Sequence, residues 1–118
     1  MSIEVQLDEL AAVVARFGSA VLVTLPAGQH ARLATVDPVV EGHTVVVRGA
    51  RASALANVET NPRVTIYWPA VEHHGFALIV DGTGLAQGPD LRVTPDHAVL
   101  HRPREHADGP PAPVPGRS

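Results

Sequence analysis

The sequence predicts a mainly β fold, a small antiparallel barrel, and three observations carry that expectation. Short Val-rich runs recur at close spacing between residues 20 and 94, and β-branched side chains suit a pleated surface. The first of these runs are joined by tight turns containing Pro or Gly, as in a meander. A single short helical pattern, around residues 54–59, interrupts the succession of strands.

Residues 5–17 place Leu7, Leu10, Val13, Val14 and Phe17 at helical spacing, and Gly18 is a natural stop. This helix is expected to cover the sheet with that face. A first strand, 20–25, turns through Pro26-Ala27-Gly28-Gln29 into a second, 30–36. Asp37-Pro38 interrupts it, because proline lacks the ladder donor. Glu41-Gly42-His43 leads into a buried type of strand, 44–48. Ser53 is expected to cap a helix over 54–59, which Asn61-Pro62 ends.

The strand 63–68 alternates, with Val64, Ile66 and Trp68 on one face and Arg63, Thr65 and Tyr67 on the other. After a loop at 69–74, residues 75–86 are apolar on both faces around Phe76, Leu78, Ile79 and Val80. A strand hidden on both sides in so small a chain implies a closed barrel or a partner subunit. Residues 90–94 are expected as a last short strand. Residues 94–103 then read as one or two helical turns, with Thr94 as cap and Pro95 at the first position. The barrel domain is placed at 1–102. The Pro/Gly-rich tail, 103–118, is expected to be disordered, since it cannot bury enough apolar area to offset its ordering.

Composition narrows the function classes. At 118 residues the chain suits one core. It holds no cysteine, which excludes disulfides, thiolate metal sites and cysteine nucleophiles. Its nine basic residues are all arginine, so lysine Schiff-base chemistry is excluded as well. A net charge of −3 argues against nucleic acid as a partner. The acidic Met1-Ser2-Ile3-Glu4 is unlike a secretory signal, and no apolar run reaches the length of a membrane span, so a cytoplasmic protein is expected.

Among candidate chemical groups, Arg51 and Ser53 stand where the helix begins, a place whose free N–H groups and dipole attract phosphate. The bland counterpart is an ordinary helix start with solvated arginines. His97 and His101 lie four apart, and His73 adjoins His74, but no third metal ligand has suitable spacing, so no metal is expected. Ser2, Ser19, Ser53 and Ser118 lack the Gly-x-Ser-x-Gly elbow of a nucleophilic serine. Asp81-Gly82-Thr83 reads as a bend with a capping carboxylate, and Trp68 as a core residue.

The order of these elements carries a resemblance. Arg32-Leu33-Ala34-Thr35-Val36-Asp37-Pro38, Val45-Val46-Val47-Arg48, Asn61-Pro62-Arg63-Val64-Thr65-Ile66 and the run from Gly75 to Thr83 follow one another as in the pyridoxamine 5′-phosphate oxidase-like, flavin-binding split barrels. The closing Pro95-Asp96-His97-Ala98-Val99-Leu100-His101-Arg102-Pro103 resembles the short actinobacterial kind, and the likeness covers residues 5–103. It implies a six-stranded antiparallel split barrel, with FMN in a groove between the subunits of a homodimer. It also implies a flavin-dependent oxidoreductase acting on a small organic substrate.

The same resemblance assigns cofactor contacts to Arg32, Leu33, Ala34, Thr35 and Val36 on the second strand and to Val47 and Arg48 at the end of the third. Where the family carries a basic pair for the phosphate, this chain has Ser53 and Ala54, which leaves the charge to Arg51, Arg32 or Arg48. That departure keeps three alternatives open: the deazaflavin F420, a flavin-binding module without turnover, and a cofactor-free structural dimer. No catalytic residue is assigned; His73 or His74 is the nearest to a proton donor.

Overall fold

The computed structural model describes residues 1–103. Of the expected tail, everything after Pro103 lies outside the described residues.

Eight strands form one antiparallel sheet: β1 (Ser2–Glu4), β2 (Ala20–Thr24), β3 (Arg32–Val36), β4 (Val39–Glu41), β5 (Thr44–Val47), β6 (Arg63–Trp68), β7 (Ala77–Gln87) and β8 (Asp90–His101). Their order is β3-β2-β6-β7-β8-β5-β4, with β1 on β8. One edge of β8 pairs with β7 along its length. The other edge pairs with β5 at Leu91–Val93 and with β1 at Val99–His101. A strand shared in this way curls the sheet into a half-barrel, the split-barrel architecture expected. The count exceeds the expected six by β1 and β4, three-residue strands too short to show periodicity.

The inner face is the core. Leu22, Ile66, Trp68, Leu78, Val80, Leu91 and Val93 are all buried there, each inward side chain alternating with an outward one. The alternation expected for β6 is what forms: Val64, Ile66 and Trp68 are buried, and Arg63 and Tyr67 are exposed. On β7, Leu78 and Val80 are buried while Ile79 is half-buried on the outer face.

Helix α1 (Leu10–Val14), preceded by a single 3-10 turn at Leu7–Glu9, is shorter than the expected 5–17. The reason is pairing: β1 joins β8, and the Val5 N–H donates to the Ala98 carbonyl at 2.8 Å, so the chain enters the helix late. The apolar stripe still packs inward through Leu10, with Val13, Val14 and Phe17 against the core.

Helix α2 (Ala52–Thr60) begins two residues before the expected start. Arg51 takes the N-cap position without a side-chain capping bond, so Ser53 lies in the first turn and is not the cap. The helix packs on β7, where Gly84 permits close approach. A Cβ at Gly84 would lie 2.7 Å from Val58 Cγ1.

The largest departure is at 94–103. In place of a short strand followed by helical turns, β8 runs unbroken from Asp90 to His101. Pro95 is accommodated because the register shifts there: Gly82 pairs with Pro95 and Asp81 with His97, leaving Asp96 as the extra, bulged residue.

Candidate functional site

Two adjoining hollows lie between α2 and strands β2, β3 and β5. The first, about 500 Å³, is walled by Arg32, Leu33, Ala34 and Thr35 on one side and by Arg51, Ser53 and Asn57 on the other. The second, about 300 Å³, runs on past Ala34, Thr35 and Val36 to Val47 and Arg48. Leu22, Ala34, Thr35, Arg51 and Ala54 border both, so the two make one groove. Together they have the size of a cofactor site. All nine residues singled out from the sequence line it.

The strand pairing explains the convergence. β3 is an edge strand antiparallel to β2, with Ala34 opposite Leu22 and Arg32 opposite Thr24. α2 follows β5 through a turn at Gly49, whose φ of 61° is in the left-handed region. The Ala50 N–H donates to the Pro89 carbonyl at 2.9 Å and the Gly49 N–H to Asp90 Oδ1 at 3.0 Å, which aims the helix start at β3. The first backbone bond at this end closes from the Leu55 N–H to the Arg51 carbonyl. The N–H groups of Ala52, Ser53 and Ala54 therefore have no acceptor within the helix.

Charge is distributed unevenly over the three arginines. Arg48 is held by Glu41, to which it donates, and lies 3.7 Å from Asp90. Arg32 and Arg51 have no carboxylate partner among the described residues. With no acidic residue in its first turn, α2 presents its positive end beside them. This corner of the groove thus carries two uncompensated guanidinium groups, one hydroxyl and unclaimed backbone donors, a set that matches a phosphate.

Beyond the nine, the groove is lined by Leu22, Thr24, Ala54 and Asn57 in the first hollow and by Asp37, Gly49 and Ala50 in the second. Thr24 was the most detectable. It continues the inward register of Ala20 and Leu22, a position where a hydroxyl stands out, and it is 2% exposed. Its oxygen accepts a bond from Asn57 Nδ2 at 3.1 Å. Asn61 Nδ2 donates to the Leu25 carbonyl at 2.9 Å, so two amides fasten α2 to β2.

The other candidates fall elsewhere. His73 and His74 meet edge to face, centroids 4.1 Å apart, beside a separate hollow shared with Tyr67 and His101. Asp81 accepts a bond from the Thr65 hydroxyl at 2.6 Å and lies 3.9 Å from His97 on the outer sheet face. His97 and His101 are on a strand, not a helix, and among the described residues no group of three His, Cys, Asp or Glu side chains could hold a metal ion. No helix among them is long and apolar enough to cross a membrane. Arg63 donates to Asp96 at 2.7 Å, and this bond holds the Asp96 carboxyl below the usual carboxylate range.

Comparison with known proteins bears on the fold. No family model matches the sequence. Uncharacterised proteins of Mycobacterium bovis and Mycobacterium tuberculosis are each 32% identical over 117 residues, covering 84% of this chain and 81% of theirs. Among solved structures, a candidate pyridoxamine 5′-phosphate oxidase of Listeria innocua superposes with a TM-score of 0.65 at 14% identity, covering 80% of this chain and 96% of that one. An FAD-binding protein of Mycobacterium smegmatis gives 0.63 at 16% identity, over 84% of this chain and 96% of its own. An F420 reductase gives 0.59 at 13% identity, over 74% and 93%.

Proposed function

We propose, from the split-barrel fold shared with pyridoxamine 5′-phosphate oxidase-like proteins, that the chain is a flavin-dependent oxidoreductase of that kind, holding its cofactor by the phosphate at the start of α2. The observation that supports this most is the corner where Arg51, Arg32, Ser53 and the open N–H groups of α2 meet without a carboxylate partner. A phosphate monoester carries close to two negative charges at neutral pH, which two guanidinium groups and a helix start would balance.

Each expected contact then has a task. Arg51, Ser53 and the α2 N–H groups bind the phosphate. Leu33, Ala34, Thr35 and Val36 form the wall along which the cofactor lies. Val47 closes the floor of the second hollow, and Arg48, held by Glu41 and Asp90, borders its mouth. When bound, the flavin or deazaflavin supplies the hydride or electron transfer. The protein orients it and excludes water on the side of Leu22 and Ala54. The substrate belongs to the small organic molecules.

The same proposal includes a homodimer. Val21, Tyr67, Ile79 and Val99 form one row across β2, β6, β7 and β8 on the outer face, each exposed or half-exposed. Leu33, 67% exposed, extends that apolar surface to the rim of the groove. A second copy seated on it would border the cofactor. A cytoplasmic setting completes the reading and rests on composition.

The test is the purified protein's absorption spectrum, before and after addition of flavin, followed by a nicotinamide reductant. A bound flavin that the reductant bleaches supports the reading. A bound flavin that stays oxidised with every donor marks a binding module. A protein that takes up no flavin is the structural dimer, and the proposal is then wrong.

A further inference from the structure

We infer that the Asp37 carboxylate is the substrate-recognition group of the groove, and that it takes a small organic molecule by a cationic nitrogen group, an ammonium or an amidinium. The inference rests on the flavin reading above and names the substrate class of the same site.

Asp37 stands at the far end of the groove from the phosphate corner. It follows Val36, the last residue of β3, and lines the second hollow together with Val47, Arg48 and Gly49. Five residue steps separate it from Arg32, a span of up to about 16 Å at the rise of an extended chain. A flavin's ribityl chain and three-ring system need a span of that order. With the phosphate held at the Arg51 corner, the space beside Asp37 is where the ring end and its substrate meet.

Charge singles this carboxylate out. Around the second hollow, Glu41 accepts a bond from Arg48 and lies 3.8 Å from Arg92, and Asp90 lies 3.7 Å from Arg48. Those two acids and two guanidinium groups answer one another. Asp37 has no cationic partner among the described residues. Ser19 Oγ donates to its Oδ1 at 2.5 Å. That bond, with Pro38 buried next to it in the chain, holds the carboxyl at the end of β3 and leaves Oδ2 with its acceptor capacity. The residue is exposed as well as lining the hollow, so a ligand reaches it without rearrangement of the protein.

The groove is therefore bipolar. Arg32, Arg51 and the helix start make one end positive, and Asp37 makes the other negative. The positive end takes the anion of the cofactor. The negative end favours a cation and repels an anion, which gives selectivity among substrates. An ammonium or amidinium supplies Oδ2 with a charge-assisted hydrogen bond. A carboxylate or phosphate on the substrate would face Asp37 with no guanidinium left to receive it, because Arg48 is held by Glu41 and Asp90.

The experiment uses the full chain loaded with whichever of FMN, FAD and F420 it binds, and three probes of one shape. Benzamidine, benzamide and benzoate carry a positive charge, no charge and a negative charge. Calorimetric titration should find benzamidine at least about tenfold tighter than benzamide, with benzoate the weakest. Asp37→Asn should bring benzamidine to the level of benzamide, and Asp37→Glu should keep the order. Three probes of equal affinity, or a benzamidine preference that survives Asp37→Asn, would overturn the inference and leave the flavin reading intact. So would conversion of a dimeric wild type into a monomer by Asp37→Asn, because the carboxylate would then be pairing with the second copy. A wild type that takes up no flavin or deazaflavin overturns the flavin reading, and this inference with it.

Discussion

Gly82 faces Pro95 across the β7–β8 ladder, and the two are matched to one another. A Cβ at Gly82 would lie 2.5 Å from the Thr94 carbonyl oxygen and 3.0 Å from Pro95 Cα. The missing side chain lets β8 bulge at Asp96, so a proline sits in the sheet without breaking it. Gly82→Ala should destabilise the fold by about 2–3 kcal/mol, because rigid backbone is what the methyl meets. Urea unfolding measures this, and an unchanged midpoint would show the bulge to be looser than its contacts imply.

Gly84 couples the sheet to the groove. The methyl of Gly84→Ala would press on Val58 and also approach Leu91 Cδ1 at 3.1 Å. It should displace α2 and weaken flavin binding as well as stability. If flavin affinity is unaffected while stability falls, the position of α2 on β7 does not set the phosphate corner.

The Arg63–Asp96 pair sits on the bulge. The Asp96 carboxyl is lowered chiefly by its bond from Arg63, and the guanidinium is raised by the same bond. A carboxyl lowered in the folded state stabilises it above the unfolded pKa, and that contribution is lost as pH falls through the folded value. The pair is exposed, so the effect on stability should be small. An NMR titration should find Asp96 below the ordinary carboxylate range, and Arg63→Ala should return it there. A midpoint unaltered by Arg63→Ala would show that the bond does not persist in solution.

Dimer formation should depend on the outer row. Ile79→Asp puts a charge in the middle of Val21, Tyr67 and Val99 while leaving the inner face untouched. Sedimentation should show a dimer in the wild type and a monomer in the variant. A monomeric wild type would remove the second copy from the account of the site.

Strands β2, β3, β5, β6 and β7 could be read from the sequence, because one-sided burial or β-branched side chains leave an alternating or Val-rich pattern. The three-residue β4 could not, nor could three other features. β1 has no pattern in three residues and exists because β8 offers an open edge. β8 beyond Thr94 reads locally as a helix start, Thr followed by Pro, and only the glycine opposite Pro95, far enough away in sequence to be invisible locally, makes it a strand. The cap at Ser53 moved because the turn at Gly49 and the Asp90 carboxylate determine where α2 starts. For the groove, β3 and the β5–α2 turn could be recognised from the order of elements. Thr24 and Asn57 were not, since they meet only when α2 lies across β2.

The central claim is that Arg51 and the open N–H groups of α2 bind the phosphate of a flavin-type cofactor. Calorimetric titration of the wild type and Arg51→Ala with FMN, FAD and F420 tests it most directly. Removing one charge-assisted contact should weaken whichever cofactor binds by about tenfold to a hundredfold. Equal affinity in Arg51→Ala, or no binding to the wild type by any of the three, would contradict the account.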